Sequence, residues 1–573
     1  MEKVTLTIDQ QKVEVEKGTT VLEAAKEVGI DVPSLCYHPD LTLHGACRVC
    51  VVENVEDESL MASCVSPVRE GMEISTRSMK ARRARRRNVE LLLANHPNDC
   101  LGCDRNGTCE LQDITHSLGI TQKDIEEISG EVREVPKDET GPALKRDPNK
   151  CILCGRCVRV CEEVQGVSAL QFSNRGFDSI VTTAFDLPQS EINCANCGQC
   201  ATVCPVGAIT EVSEIQKVWN AIEDEDVHVV AQTAPSIQAT IGEEFGYKPG
   251  TVVTGELVSA LRKLGFDSVF STEFTADLTI LEEGTEFLER LIENKNLPHI
   301  TSCCPGWVKY AEHNYSDLLN HLSTAKSPQQ MFSALSKTYY AESTNIDPKD
   351  IYTVSIMPCT AKKFEKDREE INASNLKDTD AVLTTRELAR MIKEVGIQFE
   401  NLNKEEYDEL MGKHTGAGTI FGTTGGVAEA AVRTVKEKLT GEELERLNLG
   451  FKGINEAEVE IGDRTIKVAI ANGLRNAESL LDEVRAGESD YHFIEVMACP
   501  HGCVGGGGQP LPINEKHKEL RSEGLTNTDE NSVVRKSHEN PMIKKLYEEF
   551  LDEPNSERAH ELLHTTFKCR QKN

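Results

Sequence analysis

The sequence predicts a multidomain α/β protein in which small cysteine-rich modules precede a carboxy-terminal α/β domain with parallel sheets. Three observations predict it. At 573 residues the chain exceeds what one hydrophobic core supports, so three or four domains are expected on size alone. Its 21 cysteines are clumped rather than scattered. From about residue 225 strand-like runs alternate with amphipathic helical segments, the pattern of a parallel α/β core.

In order along the chain, Val4–Asp9 and Lys12–Glu16 alternate as strands, and a helix follows from about Val21 to Val28. Thr19 or Thr20 can cap that helix and Gly29 can end it. Residues 81–119 read as helix ending in a cysteine-rich loop. Residues 130–150, with Pro136, Pro142 and Pro148 among charges, read as a linker. Residues 151–210 hold eight cysteines in two similar halves, the one clear internal repeat. Strand-like runs then fall at Val227–Gln232, Ser268–Ser271, Tyr352–Ile356, Ile466–Ala471 and His492–Val496, and the charged helical stretch after Pro510 reads as a lid or tail. The expected divisions are 1–80, 81–128, 129–212, 213–515 and 516–573.

Composition narrows the class. With 63 basic against 94 acidic residues the net charge is −31, which argues against nucleic acid or an anionic membrane as partner. The opening MEKVTLTIDQ is a strand pattern without the apolar core of a secretory signal, and no run of about 18 apolar residues occurs, so a cytoplasmic protein is expected. In a reducing compartment, clumped cysteines indicate metal or redox chemistry before disulfides. The internal run Ala81 to Arg87, ARRARRR, is a solvated helix face or a docking surface for a partner.

Cys36, Cys47, Cys50 and Cys64 follow the strand pair. One C-x2-C pair with two distant partners suits a 2Fe–2S cluster, whereas structural zinc usually takes two close pairs. The stretch resembles plant-type ferredoxins, which implies a β-grasp fold. His96, Cys100, Cys103 and Cys109 lie within reach of one 4Fe–4S cluster, and they resemble the amino-terminal cluster region of the large iron–sulfur subunit of respiratory complex I. Cys151, Cys154, Cys157 and Cys161 make C-x2-C-x2-C-x3-C, and Cys194, Cys197, Cys200 and Cys204 repeat it. In bacterial two-cluster ferredoxins three such cysteines wrap one cubane and the fourth belongs to the other. Cys151, Cys154, Cys157 and Cys204 are therefore expected at one 4Fe–4S cluster, and Cys194, Cys197, Cys200 and Cys161 at a second.

These groups describe an electron wire. What it feeds is decided by TSCCPGW (Cys303, Cys304), MPCTAKKFE (Cys359) and EVMACPHGCVGGGGQP (Cys499, Cys503), each following a strand-like run, where open parallel sheets place their ligands. The run Gly505–Gly508 lacks the G-x-G-x-x-G spacing of a dinucleotide loop, and more simply allows close backbone approach to a bulky cluster.

These three segments resemble the signature segments of iron–iron hydrogenases, and the likeness runs from the first strand to about residue 515. The resemblance implies reversible formation and oxidation of H2 at an H-cluster, a 4Fe–4S cubane joined through one cysteine to a two-iron unit with CO, cyanide and a bridging dithiolate amine. It implies Cys304, Cys359, Cys499 and Cys503 as cubane ligands, Cys503 as the bridge, and Cys303 as a thiol that passes protons. It further implies a proton relay of Cys303, Glu286, Ser323 and Glu283, the last nearest solvent, and Lys362 beside a cyanide ligand. Ala234, Pro235, Ser236, Gln329, Met357 and Met497 are implied as pocket contacts, and Glu365 as a partner of Arg290 or a ligand-loop amide. His501 stands where a small residue is usual and reads as a surface or second-shell histidine. Cys569 reads as a bystander. Ferredoxin, or flavin- and NAD(P)-binding subunits, are the implied electron partners, and dedicated maturation proteins must supply the two-iron unit. The rival is a pure electron-transfer or cluster-carrying protein, against which Cys303, Lys362 and ACPHGC argue.

Overall fold

In the computed structural model, which describes residues 2–570 apart from 129, 445, 446, 448–452 and 463, the alternating opening forms the expected strand pair. β1 (Lys3–Ile8) and β2 (Gln11–Glu16) run antiparallel, with Val4, Leu6, Ile8, Val13 and Val15 buried. α1 (Val21–Glu27) begins at Thr20 rather than Thr19. The Thr20 hydroxyl accepts from Glu23 N–H, and the Glu23 carboxylate accepts from Thr20 N–H. Such a reciprocal cap satisfies two otherwise orphaned donors. Thr20→Ala is therefore expected to cost about 1 kcal/mol, read as a lower thermal midpoint.

β3 (Val51–Asn54), β4 (Leu60–Ala62) and β5 (Glu73–Ser75) complete a five-stranded sheet in the order β2-β1-β5-β3-β4, with β1 and β5 parallel. Together with α1 this is the expected β-grasp arrangement. α2 (Met79–Ala94) carries the arginine run, which is not simply a solvated face. Arg85 is buried and donates to Val51 O and Thr76 O, clipping the helix onto the sheet. The helix also stops well short of 119. His96 precedes Pro97, which disfavours helical backbone; a 3-10 turn follows at Cys100–Gly102, and α-helix resumes only at Glu110–Ser117. The expected linker is structured in its second half: Asp138 and Arg146 exchange backbone hydrogen bonds of 2.9 and 2.8 Å, and Asp147 N–H donates to Ala208 O at 2.9 Å.

The chain forms two compact units: Met1–Glu163 with Ser168–Ile192 and Val203–Thr210, and Val164–Val167 with Asn193–Thr202 and Glu211–Asn573. The second unit holds two sheets. In one, β6 (His228–Thr233), β7 (Ser268–Ser271), β9 (Ile351–Met357) and β10 (Ala381–Thr384) are all parallel in the order β7-β6-β9-β10. In the other, β8 (His299–Ile300), β13 (Phe493–Met497) and β12 (Arg464–Asn472) are parallel, and β11 (Ile454–Ile461) adds an antiparallel edge. The long helix α3 (Thr272–Glu293) is buried along most of its length.

The segment after Pro510 is neither a loose tail nor a lid. α4 (Glu515–Glu530) is fixed by Arg521, which is fully buried, and Leu546, Leu551 and Leu563 share a core with Phe274 and Leu278 of α3.

Candidate functional site

Three cysteine loops leave the carboxyl ends of parallel strands: Cys303–Cys304 after β8, Cys359 after β9, and Cys499–Cys503 after β13. With Ala234 and Pro235 beyond β6 they line one cavity holding about 740 Å3 of space free of protein atoms. Gln329, Met357, Lys362, Phe421 and Met497 complete its wall. Ser236 stands behind that wall, fully buried, its hydroxyl accepting from Gln509.

The chemistry of this cavity follows from its sulfurs. Burial pushes Cys359 up to about 12, and Cys304 adds to the shift. Burial likewise drives Cys499 well above the ordinary thiol range, followed by the charges of Cys359, Cys197 and Cys304. Cys503 is raised in the same way, by burial and then by Cys359 and Cys304. Sulfurs that perturb one another this way share a dry site, and as thiolates they need positive charge among them. An iron–sulfur cubane supplies it, and the donor set fits one. Lys362 is held as an ammonium: burial pulls its pKa down, but Glu365 and the thiols of Cys359 and Cys303 more than offset this. Its Nζ donates to Glu365 at 2.9 Å and Cys303 O at 3.2 Å, which uses two of three donors. Gln329 Oε1, also in the wall, is buried with no hydrogen-bond partner among the described residues. Both groups suit a cavity that holds a polar, anionic cofactor.

Glu365 does not pair with Arg290. Its Oε2 accepts from Lys362, Ser327, Gln329 and Gln330, because the Lys362–Glu365 spacing puts both on one turn. Arg290 instead lies one helical turn from Glu286 and pairs with it at 2.5 Å.

That pair reverses the expected order of the two relay carboxylates. Cys303 has its pKa raised well above the ordinary range by burial and next by the charge of Glu283, so Glu283 is the carboxylate beside the thiol. A thiol so perturbed is held protonated rather than near neutrality. Glu286 lies on the outer side, accepting from the Ser323 hydroxyl at 3.0 Å, Thr324 N–H at 2.9 Å and Arg290. Burial raises its pKa, yet His299, Arg290 and these hydrogen bonds bring it below the usual carboxylate range. Glu283 is 1% exposed and Glu286 9%, so the latter is nearer solvent.

The glycine run makes its close approaches to protein backbone. A Cβ at Gly507 would sit 2.4 Å from Cys197 O, and one at Gly506 2.4 Å from Pro358 O. Gln199 donates to Gly505 O, Gln165 to Ala498 O, and Thr360 to Asn196 O, so the Cys194–Cys200 loop is bonded directly to the loops of the cavity. His501 is not at the surface. It is 1% exposed and its Nε2 meets Glu515 at 2.7 Å. Cys569 is exposed.

In the first unit several cysteines of the same group lie near one another. Cys36 lies within hydrogen-bond reach of Cys47 and Cys64, and Cys50 of Cys64. His96 is half-buried, its Nε2 enclosed and unpartnered among the described residues, and Cys103 takes a hydrogen bond from Lys150. Burial pushes Cys151 to about 11 and Cys154 to about 12, with Cys204 adding to both, so Cys204 stands beside them. Arg156 reaches Glu110 at 2.7 Å and Arg159 reaches Cys36 O at 2.7 Å, so the turn bearing Cys157 touches both neighbouring groups. Cys161 belongs to the first unit and Cys194, Cys197 and Cys200 to the second.

No motif flagged His299, Glu495 or Arg386. Glu495 is buried on β13 and accepts from Gly425 and Ala428 N–H; burial pushes its pKa up to about 7. Arg386 holds the glycine loop by Gly507 O and Gln509 O. A single acid within the otherwise apolar run FIEVM was the available signal for Glu495.

Comparison with known families matches residues 227–507 to the carboxy-terminal domain of the iron-only hydrogenase large subunit and 515–570 to the iron hydrogenase small subunit. Residues 1–79 match a 2Fe–2S iron–sulfur cluster binding domain, 85–124 the iron–sulfur binding region of NADH-ubiquinone oxidoreductase G, and 141–210 the ferredoxin-like domain of NADH-quinone oxidoreductase subunit 3. The chain is 46% identical to the NADP-reducing hydrogenase subunit HndD of Solidesulfovibrio fructosivorans, over the whole of both chains. It is 41% identical to iron hydrogenase 1 of Clostridium pasteurianum, over 98% of this chain and 100% of that one. Among solved structures, an apo [FeFe]-hydrogenase from Chlamydomonas reinhardtii superposes with a TM-score of 0.58 at 42% identity, covering 63% of this chain and all of that one.

Proposed function

The chain belongs to the iron–iron hydrogenases, and from that premise we propose that Cys304, Cys359, Cys499 and Cys503 hold the cubane of its H-cluster while Cys303, Glu283, Ser323 and Glu286 conduct protons. It is an oxidoreductase that interconverts H2 with protons and electrons, carrying iron–sulfur domains ahead of its catalytic domain. When bound, the H-cluster supplies the centre at which H2 is formed or split. The chain's residues hold, shield and serve that centre. Lys362, kept charged by Glu365, presents its remaining N–H to the cavity, and Met357, Met497 and Phe421 keep the wall apolar. Cys503 is read as the ligand shared with the two-iron unit.

Protons enter by Glu286 beside Arg290, pass the Ser323 hydroxyl and Glu283, and reach the Cys303 thiol at the cavity wall. The observation that carries this reading is Cys303 itself, a half-buried thiol in the cavity wall beside the proposed ligand thiols, with a carboxylate behind it. Glu283→Gln and Glu286→Gln are each expected to lower H2 evolution about 100-fold at unchanged iron content. Wild-type rates in both would remove the path.

The electron route is read as one 2Fe–2S cluster on Cys36, Cys47, Cys50 and Cys64, and three 4Fe–4S clusters. One sits on His96, Cys100, Cys103 and Cys109, one on Cys151, Cys154, Cys157 and Cys204, and one on Cys161, Cys194, Cys197 and Cys200. The bonded contact of the Cys194–Cys200 loop with the cavity loops supports the last step. The relative named an NADP-reducing hydrogenase subunit supports partner subunits that handle NAD(P), with ferredoxin as the direct alternative, and maturation proteins deliver the two-iron unit. Among the described residues no helix is long and apolar enough to cross a membrane. The reading includes the cytoplasm, whose reducing conditions suit this cysteine content.

A further inference from the structure

His299 lies on β8, is 0% exposed, and is packed between the rings of Phe287 and Phe493 at centroid distances of 5.6 and 5.5 Å. Neither ring nitrogen has a hydrogen-bond partner among the described residues, and neither oxygen of Glu283 has one. The two side chains face each other, with His299 Nε2 3.5 Å from Glu283 Oε1. Leaving one buried polar group unpaired is costly; leaving two facing each other is explained when a proton is exchanged between them.

The position along the path makes that exchange useful. Ser323 reaches Glu286, yet Glu283 accepts no hydrogen bond from Ser323 or any other described residue. Between the outer carboxylate and the inner one stands His299, close enough to Glu286 for its charge to hold that carboxyl down. Ser323 N–H donates to Ile300 O, which fixes the Ser323 segment beside the same strand.

We propose that His299 is a proton-relay residue that carries protons between the Glu286–Ser323 pair and Glu283, an inference that rests on the proton path proposed above. In the inward direction the O–H bond of a protonated Glu286 breaks, its proton forms an N–H bond on Nδ1 of the neutral ring, and the ring becomes an imidazolium. The Nε2–H bond then breaks, the proton forms an O–H bond on the Glu283 carboxylate, and the ring is neutral again. No electron moves. Histidine suits this because its ordinary pKa lies between those of a carboxyl and a thiol. The charged and titratable groups around it are Glu283 and Glu286 from α3, with Arg290 behind Glu286, and Glu495 of β13 lies close enough to Glu283 to feel its charge.

The test uses full-length protein matured with the two-iron unit, reduced methyl viologen in excess, and infrared CO and cyanide bands to verify that the active site is loaded. His299→Phe keeps the aromatic packing and His299→Gln keeps a polar group; neither can relay a proton. Both are expected to lower H2 evolution about 100-fold, to alter the rate's dependence on pH between about 5 and 8, and to add nothing to Glu283→Gln. Cys303→Ala is measured in parallel. If it is inactive while His299→Phe keeps the wild-type rate and pH profile, His299 is a packing residue and the inference falls with the path intact. If Cys303→Ala stays active, the path itself is wrong and the inference falls with it.

Discussion

Replacing Cys303 by alanine is expected to lower H2 evolution by about 100-fold to 10,000-fold while the CO and cyanide infrared bands of the matured protein stay unchanged. Cys303 lines the cavity beside Cys304, is half-buried, and the carboxylate that perturbs it is Glu283. Its backbone carbonyl, which accepts from Lys362, survives the substitution, so the loop and its ligands should keep their places. What alanine removes is the thiol that ends the proposed proton path at the cavity wall. A defect in cluster binding would instead lower the iron content and weaken the infrared bands, and the two outcomes are separable in one sample.

Arg521→Ala is expected to cost the second unit about 3–5 kcal/mol, read as a lower thermal midpoint together with reduced iron retention. Arg521 is 0% exposed and meets both oxygens of Glu243 at 2.7 and 2.6 Å. The same guanidinium donates to Val504 O beside Cys503 and to Pro510 O. Truncation would strand the nearly buried Glu243 carboxylate and free the loop that bears Cys503, a proposed cubane ligand. Removing both charges, as in Arg521→Met with Glu243→Leu, should recover most of the loss, because a buried pair is dearest when only one partner is deleted. Equal destabilisation in the double variant would mean that the loop carbonyls, not the stranded charge, carry the effect.

What could be read from the sequence was what spacing encodes. Two C-x2-C-x2-C-x3-C runs, a strand before each cavity loop and the alternation of Lys3–Ile8 are local patterns, and local patterns translate directly into grouped cysteines and strands. Thr20 and Glu23 three residues apart carried their cap in the same way. The order of Glu283 and Glu286 was not local. Three residues apart on α3, they share a face, and which one meets Cys303 depends on how that helix lies against β8 and β13. Arg521 and Glu243 are 278 residues apart, so the docking of the carboxy-terminal helix could not be read from the charges of either segment. His299 carried no motif at all. Its meaning comes from the carboxylate it faces, which only the packed helix supplies.

The central claim is a complete hydrogen-forming site rather than a bare electron wire. It is tested most directly by H2 evolution from reduced methyl viologen, comparing protein matured with the two-iron unit against protein holding iron–sulfur clusters alone. Steady H2 formation confined to the matured sample is the predicted result. No H2 from a sample with full iron loading and intact CO and cyanide bands would contradict the account and leave an electron-carrying or sensing protein in its place.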